Sequence, residues 1–205
     1  MQLSGEYTFA GPRDAVWTLL QDPEVLAAAM PGAEQLDKVG DDRYEAQLQV
    51  RVGPVNGVFA TTISLTDKVP PERYTMLIDS KGATGFASGT AQVVLVEQDA
   101  ATTVMRYEAT LQVGGRIASV GQRMLDTVSK SLTRQSLEAM NEALRARLAA
   151  QGSAEPAPAY VPPTQADFAR GVARDVVAES VTSGKTVWIV AGAVVVVIVV
   201  ALLVL

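Results

Sequence analysis

Twenty consecutive residues without a charge, 186–205, set the first constraint on this chain. At about 1.5 Å per residue, a helix of that length reaches roughly 30 Å, the hydrocarbon thickness of a bilayer. The run Val194-Val195-Val196-Val197-Ile198-Val199-Val200 is too long and too apolar to hide in the core of a small domain. Residues 186–205 are therefore expected to form a transmembrane helix. With nothing after Leu205, the expectation is a tail anchor inserted after synthesis. Arg170, Arg174 and Lys185 precede the run and no basic residue follows it. The positive-inside rule then predicts a single pass through the cell membrane with the N-terminal part on the cytoplasmic side. Trp188 would lie at the headgroup level on that side. Met1-Gln2-Leu3-Ser4-Gly5 lacks the basic and apolar regions of a signal peptide.

Two absences bound the chemistry. The chain has no cysteine and no histidine. Thiol nucleophiles, disulfides, the usual zinc sites, histidine-held haem and the Ser-His-Asp relay are all removed. No metal site and no covalently bound cofactor are expected, so an electron-carrying role needs a borrowed redox group. Lys and Arg number 17 against 22 Asp and Glu, for a net charge of −5. That balance lacks the basic footprint of a nucleic-acid binder, and no nucleic-acid partner is expected.

Ahead of the apolar run, residues 151–185 read as a linker. Pro156, Pro158, Pro162 and Pro163 stand among Ala, Ser and Gly, and such chain extends at about 3.1 Å per residue. Further on, Phe168, Val172 and Val176 recur at helical spacing, weakened by Gly171 and Glu179. The expectation is a short helix on the membrane surface or a polar spacer.

The folded domain is residues 1–150. A strand is predicted over 3–9, a helix from Pro12 to about Leu20, and a second short helix opened by Asp22-Pro23 and ended before Pro31-Gly32. Tyr44, Ala46, Leu48, Val50 and Val52 alternate with Arg43, Glu45, Gln47, Gln49 and Arg51, the period of a half-buried antiparallel strand. After a turn at Pro54-Val55-Asn56-Gly57, further strands are expected at 58–69, around Tyr74, Met76 and Ile78, at 91–96 and at 102–113, with a loop over 82–89. From Arg116 to about Ala150 proline is absent, and Ile117, Val120, Met124, Val128 and Leu132 keep helical spacing. One unbroken helix is predicted there, with its charged end, 138–147, protruding beyond the sheet. The order defines an α+β fold in which a curved antiparallel sheet grips one long C-terminal helix. With so few helices to fill its concave side, the sheet is expected to leave a cavity.

Read together, the turns resemble a known family. Met30-Pro31-Gly32-Ala33, Val52-Gly53-Pro54-Val55-Asn56-Gly57, Pro70-Pro71-Glu72-Arg73-Tyr74, Gly85-Phe86-Ala87-Ser88-Gly89 and Val113-Gly114-Gly115-Arg116 leading into Arg123-Met124-Leu125-Asp126 occur in order. The series is similar to the CoxG family of carbon monoxide dehydrogenase proteins, in the START-like SRPBCC superfamily, over about residues 1–147. The resemblance implies an accessory protein, not an enzyme, partnered with a molybdenum carbon monoxide dehydrogenase and holding it at the membrane. It further implies carriage of a quinone, menaquinone where that is the pool, to the flavin subunit. The family supplies no catalytic motif to place on numbered positions, so no catalytic residue is assigned.

Candidate ligand-binding residues come from the apolar faces. Met30, Met76 and Met124, with Met105, offer an adaptable lining, and Leu48, Ile63, Leu111, Val120 and Val128 complete it. Phe59, Phe86 and Tyr107 are placed to stack on a flat ring, with the Tyr107 hydroxyl available to a quinone carbonyl. At a cavity wall Val128→Trp would cost little stability and block the ligand. Other patterns are decoys. Gly184-Lys185-Thr186 lacks the glycine and preceding strand of a phosphate loop, Asp41-Asp42 reads as a hairpin turn, and Asp79, Glu97 and Glu108 fall on polar strand faces. Three roles compete: quinone or lipid carrier, ligand-free membrane adaptor, and START-like enzyme.

Overall fold

The computed structural model describes residues 1–30, 32–52, 54–152, 170–172 and 174. The expected membrane helix at 186–205 and most of the 151–185 linker lie outside the described residues. Among the described residues no helix is long and apolar enough to cross a membrane.

Seven antiparallel strands form one sheet in the order β1-β7-β6-β5-β4-β3-β2. They are β1 (Gln2–Phe9), β2 (Ala33–Gly40), β3 (Arg43–Val52), β4 (Val55–Val69), β5 (Arg73–Gly82), β6 (Gly85–Asp99) and β7 (Thr102–Gly114). Two short helices, α1 (Arg13–Leu19) and α2 (Pro23–Ala29), follow β1, and the long helix α3 (Gln122–Gly152) follows β7. The α+β arrangement of a sheet around one long C-terminal helix is as expected. Pro12, extended, precedes α1, and Asp22 caps α2 by accepting from the Glu24 and Val25 amides at 2.9 and 3.4 Å. Pro23 at the first position of α2 loses nothing, because its amide would be unpaired there anyway.

Several boundaries differ from expectation. β2 is an additional strand at the sheet edge, where partly polar chain pairs with β3. The stretch at 82–89 is no loop: Gly82 pairs with Gly85 across a two-residue turn, and β6 begins at once. Val55, Asn56 and Gly57 already belong to β4, with Val55 opposite Val52. The long helix is interrupted. Arg116–Val120 is a 3-10 turn, Gly121 takes φ 91°, and only then does α3 start. The far end of α3 does not protrude, since Leu137, Ala139, Met140, Ala143 and Leu144 are all buried.

Those α3 residues meet Phe9, Val16, Leu19, Tyr44, Leu65, Tyr74, Val93, Leu95 and Met105 in the larger of two apolar clusters. Polar contacts stitch the same end together. Asn141 accepts from the Ala10 amide at 2.9 Å, Thr103 donates to the Gly11 carbonyl at 2.8 Å, and Tyr44 donates to the Gln21 carbonyl at 3.0 Å. The smaller cluster, at the other end, joins Val52, Val55, Phe59, Ile117, Leu125 and Val128. Val172 packs against it, and Gly171 lies so close to the Gln135 amide that a Cβ would overlap it. Residues 170–172 thus rest on α3, which neither sequence expectation for that stretch foresaw.

Candidate ligand site

Between the two clusters the concave face changes character. Cross-strand register places Ala46 opposite Thr61, Thr61 opposite Ser80, and Ser80 opposite Ala87, so one row of short side chains crosses β3, β4, β5 and β6. Larger side chains flank that row on both sides, with Leu48 and Phe59 on one and Ile63 and Ile78 on the other. Ile78 then faces Gly89, over which Leu111 leans. Leu48, Ile78 and Leu111 are half-buried, face inward, and belong to neither cluster. Short side chains under a helix leave the volume that longer ones would fill.

Within this row Thr61 and Ser80 are buried, at 5% and 8% exposure, and their hydroxyls lie 2.7 Å apart. Both occupy positions that the strand period reserves for apolar side chains: Phe59, Ile63 and Leu65 flank Thr61, and Ile78 and Met76 precede Ser80. That break in the alternation was the available sequence signal, and the candidate lining missed it.

The expected lining residues divide into five groups. Leu48 and Leu111 stand beside the row of short side chains. Phe59 and Val128 are buried in the smaller cluster, with Val120 and Met124 packed on it. Ile63, Met76 and Tyr107 pack against the larger cluster, and Met30 is half-buried at the end of α2. Phe86 is on the opposite face. It is 45% exposed and lies over Gly114, its cross-strand partner, because its parity in β6 is opposite to that of Ala91, Val93 and Leu95. Phe59, Phe86 and Tyr107 therefore do not converge on one ring. The Tyr107 phenol lies across Gly5 of β1, and burial raises its pKa. Val113, not Tyr107, shares the row of Ser80 and Ala87, and six residues of strand separate the two, about 20 Å.

The ionisable candidates face solvent. Asp79 and Glu108 are exposed, and Glu97 is exposed with Arg13 3.6 Å away. Asp41-Asp42 is the β2–β3 turn, and Asp42 pairs with Lys68 at 2.5 Å. Two open hollows lie on the surface. One, about 550 Å³, is lined by Asp37, Arg43, Glu45, Asp79 and Lys81 on the outer face and also borders Ala46 and Thr61 of the row; the other, about 580 Å³, borders Trp17, Gln21 and Asp22. Among the described residues no group of three acidic side chains converges as a metal site would require.

A curved antiparallel sheet closed by one long helix, with an inward-facing row of short side chains between two apolar clusters, defines a START-like α+β domain. The chain matches the CoxG family model of carbon monoxide dehydrogenase over residues 5–145, and it belongs to that family of accessory proteins of the enzyme. Among solved structures it is similar to a conserved protein from Geobacillus kaustophilus at 30% identity, covering 71% of this chain and 95% of that one, with a TM-score of 0.68. The Zhui aromatase/cyclase from Streptomyces sp. R1128 shares 19% identity over 75% of this chain and 98% of its own, with a TM-score of 0.55. A START superfamily protein from Mycobacterium smegmatis shares 10% over 70% and 97%, also at 0.55. These last two likenesses show the fold alone. No protein of curated function matches the chain.

Proposed function

We propose that this protein is a membrane-tethered, non-catalytic carrier for a molybdenum carbon monoxide dehydrogenase. It takes a quinone, menaquinone where that is the pool, from the bilayer and presents it near the flavin subunit while recruiting the enzyme to the membrane. The observation that carries the reading is the row of short side chains at Ala46, Thr61, Ser80 and Ala87 on the concave face, where a flat, largely apolar ring would lie beneath α3. Family membership supports the enzyme partner, and the uncharged run at 186–205 supports the tether on the cytoplasmic side of the membrane. A chain without Cys or His lacks the side chains that usually ligate a redox metal, which fits a carrier of a borrowed redox group.

The test is extraction of lipids from the full chain, purified in mild detergent, followed by mass spectrometry. A quinone near one per chain is expected. If none is found, and added quinone is not retained either, the carrier reading fails. A second reading, the ligand-free adaptor, is favoured by the tight packing of Phe59, Leu125 and Val128 in the smaller cluster. It predicts recruitment of the dehydrogenase to membranes by a chain that never holds quinone.

A further inference from the structure

The Thr61 and Ser80 hydroxyls carry two protons between them, and their mutual hydrogen bond of 2.7 Å uses one. Neither oxygen has another partner among the described residues, although both side chains belong to residues more than nine-tenths buried. One O–H donor is thus left over in an apolar wall, at the centre of the row of short side chains. A buried donor without an acceptor is costly, on the order of 1–3 kcal/mol, and such groups are nearly always satisfied. The apolar neighbours on the concave face, Phe59, Ile63 and Ile78, are unable to accept it.

We infer that the Thr61–Ser80 pair is the polar end of a ligand site, donating one hydrogen bond to a carbonyl oxygen of an otherwise apolar molecule lodged beneath α3. The inference rests on the carrier reading and names the chemistry that fixes the ligand's orientation. Within the pair either hydroxyl can donate its hydrogen bond to the other's oxygen, leaving that partner's O–H for the ligand. The donor therefore survives loss of either residue and disappears only when both are replaced. Ring carbonyls of a quinone and ester carbonyls of a lipid offer the same acceptor, so the experiment must separate them.

The full chain in mild detergent is loaded with a naphthoquinone bearing a short isoprenoid chain, carbon-13 labelled at its ring carbonyls. A parallel sample receives a fatty-acid methyl ester of similar size, labelled at its carbonyl. Retention after gel filtration and the position of the labelled carbonyl stretching band are read for the wild type, Thr61→Val, Ser80→Ala and the double variant. The expectation is a naphthoquinone band shifted to lower wavenumber in the wild type and in both single variants. In the double variant the band returns to its hydrocarbon-solvent position, and retention falls about 3- to 10-fold. The double variant removes both partners and keeps their shape, so its melting temperature should stay near that of the wild type. An unshifted band in the wild type, or a double variant that matches it, overturns the polar subsite and leaves the carrier reading standing. Retention of the ester with a shifted band, and not of the naphthoquinone, keeps the subsite and overturns the quinone. Retention of neither probe overturns both.

Discussion

Arg147 donates to the Asp22 carboxylate at 2.7 Å and so ties the end of α3 to the start of α2, 125 residues away in sequence. The same carboxylate caps α2 through the Glu24 and Val25 amides. This pair explains why the charged end of α3 stays on the domain: its arginine has a fixed partner, and the apolar side chains between its charges fill the larger cluster.

The pair makes stability depend on pH in a defined direction. Burial alone would raise the Asp22 pKa, but Arg147 and the two amides outweigh it and hold the carboxyl below its usual value of 3.8. A depressed carboxylate adds stability that is complete above the unfolded value and is lost as pH falls through the folded one. Asp22→Ala should therefore cost about 0.5–2 kcal/mol at pH 7, chiefly through the lost cap. The gap between wild-type and variant melting temperatures should be flat above about pH 5 and narrow below it. A gap that widens on acidification would show that Asp22 is not the group responsible.

Val128 belongs to the smaller apolar cluster. It is 6% exposed and packed with Phe59, Ile117 and Leu125, so the expectation that Val128→Trp is tolerated does not suit its place in the structure. Overpacking there should cost about 1–3 kcal/mol or more. Ala87, half-buried in the row of Thr61 and Ser80, is the better position for added bulk. Ala87→Leu should change stability by less than about 1 kcal/mol while abolishing quinone retention, both read on the full chain by thermal unfolding and lipid extraction. Equal destabilisation by both substitutions would mean the row of short side chains is already filled.

What could be read in advance followed the strength of the period. β3 announced itself because Tyr44 and Ala46 alternate with Arg43 and Glu45, and one face of the strand is buried. β2 did not. At the sheet edge its Val39 is 50% exposed, so burial imposes no alternation on Ala33–Gly40. Glycines misled in two ways. Those between 82 and 89 suggested a loop, whereas Gly82 and Gly85 form the ends of a tight hairpin; Gly121 passed for a tolerated helical glycine, whereas its φ of 91° divides the 3-10 turn from α3. At the site, apolar residue type alone could not say which face Phe86 takes, and only the β6 register does. Thr61 and Ser80 were legible as polar breaks in apolar strand faces, but their meeting depends on the β4–β5 register.

Two glycines with positive φ should respond unequally to alanine. At Gly121 a Cβ meets nothing within 4 Å, so Gly121→Ala pays only for the backbone conformation, about 1–3 kcal/mol. At Gly85, with φ 145°, a Cβ would also collide with the Gly114 carbonyl oxygen and press on Ile117. Gly85→Ala should be the more damaging of the two, disturbing the β5–β6 hairpin and the smaller cluster together. Denaturant unfolding of both variants decides this, and a Gly85→Ala variant as stable as Gly121→Ala would refute the steric account.

Membrane attachment and docking of residues 170–172 should be separable. A chain stopped after Gly152 keeps both clusters but loses Val172 and the uncharged run at 186–205. It is expected in the soluble fraction, with faster amide exchange in α3 near Val128 and Leu132, where Val172 had packed. Val172→Asp isolates the second effect. A carboxylate does not pack on an apolar cluster, so the segment should leave α3 while the uncharged run remains. That variant should show the same faster exchange around residues 128–135 and an unchanged membrane fraction. If the shortened chain still pellets with membranes in high salt, the domain itself binds lipid and the tether account is incomplete. If Val172→Asp leaves exchange in α3 unchanged, Val172 does not shield the smaller cluster in solution.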